Sequence, residues 1–258
     1  MDRPLKAVRE QALEWLLPKL DHRMGNVLFV GAHLPEVALH VLKSNLFVTV
    51  VENDAKRLEE FFKPLREAKL HRGVSVDQRK YETIDFVASS YNVILVWEGI
   101  PDGMVPNLFF KKTRRELKAG SMLYLRECMR PELAPESSLL GRLESTLPDQ
   151  VKETVGSLAR QLESAVAPEG AKVMAELKEA AEQYLALEEV VPLSIFTERL
   201  AQLPPGVRKF LRIAPLPTLE VARFLDSKLL DTKAGHNLAS SAILSFSKSL
   251  EFGKVFRV

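Results

Sequence analysis

The chain has 258 residues, 46% hydrophobic and 27% charged, the balance of a globular protein able to bury a substantial core. Its 36 basic and 34 acidic residues leave a net charge of +2, which gives no electrostatic case for a nucleic-acid or membrane-surface partner. A single cysteine, Cys128, excludes an internal disulfide framework and suits a reducing, cytoplasmic setting, while no apolar stretch approaches the ~20 residues of a bilayer span.

The N-terminus is charged and periodic and lacks the apolar core of a signal peptide. Residues 4–20 place Leu5, Val8, Ala12, Leu13, Leu16 and Leu17 at helical spacing, which predicts an amphipathic helix. Asn26–Val30 is a short apolar run closed by Gly31, a buried-strand pattern, and Glu36–Leu42 is helical. Phe47–Val51 is a second, β-branched run, followed by a helix over residues 54–69 with Leu58, Phe61, Phe62 and Leu65 on one face. Residues 74–76 form a weak strand pattern and 91–97 (YNVILVW) a strong one. A helix over 105–117, a turn at Lys118-Ala119-Gly120 and a strand at 121–125 follow. Uncharged strands alternating with helices predict an α/β fold, a doubly wound and mostly parallel sheet covered on both faces.

Composition shifts near Pro131. Residues 131–190 hold 12 acidic and 5 basic side chains, a net charge of −7. Val151, Val155, Leu158, Leu162 and Val166, and then Val173, Leu177, Ala181, Tyr184 and Leu185, repeat at helical steps on either side of APEG at 167–170. The expected organisation is therefore a nucleotide-binding core over 1–130, an acidic helical insertion over 131–190, and a return to the core over 191–258. The insertion could serve as a lid over a small-molecule substrate or pair through its apolar faces with a second copy or a protein partner. The last segment is punctuated by prolines, carries a helix pattern at 218–228, and ends in a β-rich SAILSFS at 241–247 that could form an antiparallel sheet edge.

In an open parallel sheet, ligands sit beyond the carboxyl ends of the strands, where strand order reverses. The first such end is Gly31-Ala32-His33. The second is Glu52, 21 positions after Gly31, where a carboxylate can accept hydrogen bonds from both hydroxyls of a ribose. Asp77 ends the third strand, and Trp97 and Glu98 end the fourth, an aromatic and an acid suited to neighbour an adenine.

These stretches resemble the class I S-adenosylmethionine-dependent methyltransferases. NVLFVGAHLPEVALHV is similar to that family's first motif and VTVVENDAKRL to its second, with Glu52 in the ribose-binding position. YNVILVWEGIPDGM resembles the fourth-strand segment, where an aspartate often stands at the place of Asn92, and RRELKAGSMLYLRE resembles the helix, turn and fifth strand. The likeness covers roughly residues 20–130, and the tail SAILSFSK suits the last strand. It implies S-adenosylmethionine as cofactor, no metal, and a cofactor site formed by Gly31, Ala32, His33, Glu52, Asn53, Asp77, Trp97 and Glu98. The departures fall in the first motif. Phe29 stands where the family commonly has an acid, and His33 and Pro35 take the places of later glycines. Histidine tolerates unusual dihedrals, and proline fits the first turn of a helix.

Other residues have plainer readings. His22, His40, His71 and His236 lack metal-ligand spacing, Cys128 has no activating neighbour, and the basic run from Lys111 to Lys118 reads as a solvated helix face. A nicotinamide dehydrogenase also lacks its later fingerprint glycines here, and it fits less well because LKAGSMLYL has no counterpart in that reading. Two functions follow: methyl transfer to a small molecule, which needs little beyond alignment of donor and acceptor and so names no catalytic residue, or a binding and assembly module on the same fold that has lost catalysis.

Overall fold

The computed structural model describes residues 3–21, 25–44, 47–130, 172–194, 226, 230, 239 and 241–249. Helix α1 (Arg3–Leu20) precedes β1 (Asn26–Val30), α2 (Pro35–Lys43), β2 (Phe47–Val51), α3 (Ala55–Glu67), β3 (Val74–Asp77), β4 (Tyr91–Val96), α4 (Pro106–Glu116) and β5 (Leu117–Arg130). Then come β6 (Lys172–Val173), α5 (Met174–Glu182), β7 (Ala186–Ser194) and β8 (Ser241–Ser247). The strands lie in the order β3-β2-β1-β4-β5-β8-β7, with β6 paired to β5. All pairings from β3 across to β5 are parallel. The chain builds outward from β1 to β3, then returns to the other side of β1 with β4. That reversal is the switch point at which such sheets bind ligands.

The centre of the sheet follows from its apolar runs. In β1 four of five residues are buried and in β4 five of six, so neither strand offers a polar face. The covering helices supply matching stripes. Helix α2 buries Val37, Ala38, Val41 and Leu42, and α3 buries Leu58, Phe61 and Leu65. Phe29 of β1 meets Phe61 edge-on with ring centroids 6.0 Å apart, and Phe61 meets Phe62 at 5.8 Å. Pro35 is the first residue of α2, where its missing N–H costs nothing. Asp54 caps α3 by accepting from the amides of Lys56 and Arg57.

Four expectations change. The anticipated turn at Lys118–Gly120 is an irregularity within β5, because the β4–β5 register jumps from Tyr91↔Leu117 to Val93↔Met122. SAILSFS is no edge: β8 lies between β5 and β7 with six of its seven residues buried. Residues 186–190, expected to end a helical insertion, belong to strand β7. The basic face of α4 is not uniformly solvated: Lys112 pairs with buried Glu116 at 2.6 Å, and Arg115 pairs with Asp85. Of the two insertion helices, α5 matches the second. Its Leu177 and Ala181, with Leu185 beyond it, are buried. The first, with most of the helix expected at 218–228, lies outside the described residues.

Contacts divide the chain into two units. One comprises Gln11–Glu127, Ala175–Val191 and Ile243–Val258 and holds the sheet's centre. Within it, Glu189 of β7 accepts hydrogen bonds from the Trp15 indole at 3.1 Å and the Lys19 ammonium at 2.6 Å. The other comprises Met1–Glu10, Cys128–Met174 and Pro192–Ala242. There the end of β5 pairs in parallel with β6, and the buried Ser194 hydroxyl donates to Asp226 at 3.1 Å. Among the described residues, no helix is long and apolar enough to cross a membrane.

Because Phe61 bridges β1 to α3 and is 1% exposed, Phe61→Ala removes the ring from both contacts. The expected cost is about 3–5 kcal/mol, read from the midpoint of urea unfolding. A loss below about 1 kcal/mol would place the α3 packing elsewhere.

Candidate functional site

Two backbone hydrogen bonds carry the parallel ladder past the strand ends. The Gly31 amide donates to the Val51 carbonyl at 2.9 Å, and the Glu52 amide donates to that of Asp77 at 3.1 Å. The ends of β1, β2 and β3 are thereby held abreast. Gly31 needs its lack of a side chain here, since its φ is +96°.

A cleft of about 330 Å³ opens at these ends. Its walls are Val30, Gly31 and His33 from the first turn, Val51, Glu52, Asn53 and Arg57 from the second, residues 79–82 from the loop after β3, and residues 98–102 after β4. Its size is at the lower end for a small-molecule site. Of the eight residues expected from sequence, Gly31, His33, Glu52, Asn53 and Glu98 line it.

The other three do not face it. Ala32 is buried, and it contributes through its amide. Asp77 has its carboxylate clasped by the guanidinium and amide of Arg79, which hold it below the usual aspartate range. The indole of Trp97 packs against the hydrophobic core with the Arg126 guanidinium 5.4 Å from its ring centre. Arg79 thus reaches the cleft where Asp77 was expected to.

Glu52 is the centre of the arrangement. It is 7% exposed, and its two carboxylate oxygens accept from the Ala32 amide at 3.2 Å and the Asp54 amide at 2.9 Å. The Arg57 guanidinium lies 3.9 Å away and donates to Glu98 at 3.0 Å. His33 lies 3.1 Å from the same Glu98 oxygen and 3.4 Å from Arg57. His33 chiefly, then Arg57, holds the Glu98 carboxyl below the usual glutamate range against the opposing effect of burial.

The His33 imidazole lies against Gly31. A Cβ built on Gly31 would stand 2.6 Å from its Cδ2 and 2.9 Å from its Nε2. The open side of the glycine is therefore covered by the ring that replaces the motif's next glycine.

Sequence reasoning missed Arg57, the loop residues 79–82 and most of 99–102. Arg57 belongs to no motif, although its place three residues after Asp54, at the start of a helix, was a usable signal. Tyr81 gave none. It is buried, its hydroxyl donates to Glu116 at 2.6 Å, and burial, reinforced by Glu116, raises its pKa well above the usual tyrosine value.

Neither a protein-family model nor a curated protein matches the chain in sequence. Solved structures do match in fold. A proposed sarcosine dimethylglycine methyltransferase from Galdieria sulphuraria aligns at 12% identity with a TM-score of 0.57, over 95% of this chain and 86% of that one. Geranyl diphosphate C-methyltransferase from Streptomyces coelicolor, solved with Mg2+, geranyl diphosphate and S-adenosyl-L-homocysteine, aligns at 14% identity and 0.54, over 93% and 80%. The [4+2]-cyclase SpnF aligns at 15% identity and 0.53, over 93% and 83%. The fold is therefore that of the class I methyltransferases, and a cyclase among the neighbours shows that this fold does not dictate one reaction.

Glu98 has a lower proton affinity folded than unfolded, so its contribution to stability is complete above the ordinary glutamate pKa and disappears as pH falls through the depressed value. Solvent screens this half-exposed group. Glu98→Gln should therefore cost less than about 1 kcal/mol at neutral pH, a difference that closes on acidification. Urea unfolding at several pH values checks this, and a gap that persisted at a pH where carboxylates are protonated would refute the pairing.

Proposed function

We propose that this chain binds S-adenosylmethionine in the cleft beside Glu52 and transfers its methyl group to a small-molecule acceptor. One observation carries the reading: a buried carboxylate at the end of β2, hydrogen-bonded to the turn after Gly31 and beside the switch point. The two oxygens of a carboxylate offer about four acceptor positions, and two here are taken by the Ala32 and Asp54 amides. The remainder suit the paired hydroxyls of a ribose. When bound, the cofactor's sulfonium supplies an activated methyl group, and the protein's share is to align donor and acceptor and exclude water.

The donor set fits an adenosyl ligand, while the position of His33 narrows the approach. The imidazole lies where backbone meets ligand in a glycine-rich turn, and side-chain contacts to Glu98 and Arg57 hold it there. Rotation of one histidine side chain clears Gly31. A second reading, a methyltransferase-like binding or assembly module without catalysis, is favoured by that same histidine if the ring stays in place.

Calorimetric titration with S-adenosylmethionine and S-adenosyl-L-homocysteine separates the two. The first reading expects binding by both. It also expects Glu52→Ala to weaken binding by about tenfold to a hundredfold, the worth of hydrogen bonds to a charged acceptor, with Glu52→Gln between. The second expects an inert wild type in which His33→Gly, by reopening the turn, creates affinity. Binding that is undiminished in Glu52→Ala would remove the ribose from Glu52.

A further inference from the structure

The wall of the cleft formed by residues 99–102 is a loop that contains one turn hydrogen bond of its own, from the Met104 amide to the Pro101 carbonyl at 3.0 Å. Two consecutive side chains of β5 grip it. The Arg126 guanidinium donates to the Trp97 carbonyl at 3.2 Å and lies over the Trp97 ring. Glu127, 5% exposed, accepts from the Ile100 amide at 2.9 Å. Gly99, between these two anchors, has a φ of +88°, and a Cβ on it would stand 2.6 Å from the Glu127 Oε1. The glycine is thus required twice, by its dihedral and by the carboxylate pressed against it. A carboxylate this deeply buried is costly to retain without a specific partner. Its oxygens close on the one stretch of loop that turns from Glu98, which is joined to His33 and Arg57, into the wall itself.

We propose that Glu127 is the positioning residue of this wall and through it sets the affinity of the cleft for an adenosyl ligand. The second half rests on the cofactor reading above. Glu127 does not line the cleft; it acts by fixing the Ile100 amide, and so the path of Gly99, Ile100 and Pro101. In sequence it is the final residue of RRELKAGSMLYLRE, two positions beyond the strand expected at 121–125.

The test uses the full chain and two measurements. Amide hydrogen exchange is followed at Ile100, with amides of β1 reporting global opening. S-adenosyl-L-homocysteine affinity is measured by calorimetry. In Glu127→Ala, Ile100 should exchange at least about tenfold faster while β1 stays protected, and affinity should fall by about tenfold or more. Glu127→Gln, whose amide oxygen can still accept from Ile100, should restore both to within about threefold. Where Glu127→Ala fails to fold, Glu127→Asp replaces it, being one methylene too short to reach. Unchanged Ile100 protection in Ala or Asp overturns the positioning role. Lost protection with unchanged affinity overturns the link to the ligand. A wild type that binds no S-adenosyl-L-homocysteine overturns the cofactor reading and the affinity half together, and exchange alone then decides whether Glu127 holds the wall.

Discussion

The carboxylate of Glu52 ties two turns into one site. Its oxygens accept from the Ala32 amide of the β1–α2 turn and the Asp54 amide of the β2–α3 turn, so neither turn can shift without breaking a hydrogen bond to a buried carboxyl group. The link depends on the parallel ladder running past the strands, through Gly31 to Val51 and Glu52 to Asp77. Asp54 in turn caps α3 and places Arg57 in its first turn, within reach of Glu52, Glu98 and His33. A single strand-end residue therefore organises the charged rim of the cleft.

The first motif's three departures have separate physical accounts. Phe29 is core: it is 1% exposed and stacks edge-on with Phe61, so a carboxylate there would have no partner in its place. Pro35 is backbone, seated at the first position of α2 where a helix accepts it without loss. His33 alone bears on the site. Its ring lies against Gly31 and is held by Glu98 and Arg57. Of the three, one rotatable side chain occupies the space beside Gly31.

Elements were legible wherever apolar periodicity was strong. β1, β2, β4, α3 and α4 fall within a few residues of expectation, because strands buried on both faces leave uncharged runs and covering helices leave stripes at three and four. The irregular register in β5 was not legible. Lys118-Ala119-Gly120 has turn chemistry, and its place inside β5 shows only through distant contacts: the register with β4 resumes at Met122, and the Gly120 amide donates to the Lys248 carbonyl at 2.8 Å. The location of β8 was also hidden, since an apolar run shows that a strand is buried and not which strands flank it.

For the site, the sequence by itself determined which side chains stand at strand ends. Gly31, Glu52 and Glu98 were identifiable because a strand's length and the turn after it put them there. Tertiary structure decided which of these face a common space. Asp77 and Trp97 are strand-end residues as well, yet one is neutralised by Arg79 and the other packed under Arg126. Arg57 and Glu127 joined the arrangement through contacts spanning 41 and 27 residues, to Glu98 and Ile100. Periodicity is a local property of the chain, whereas a hydrogen bond between strand ends depends on the register of the whole sheet.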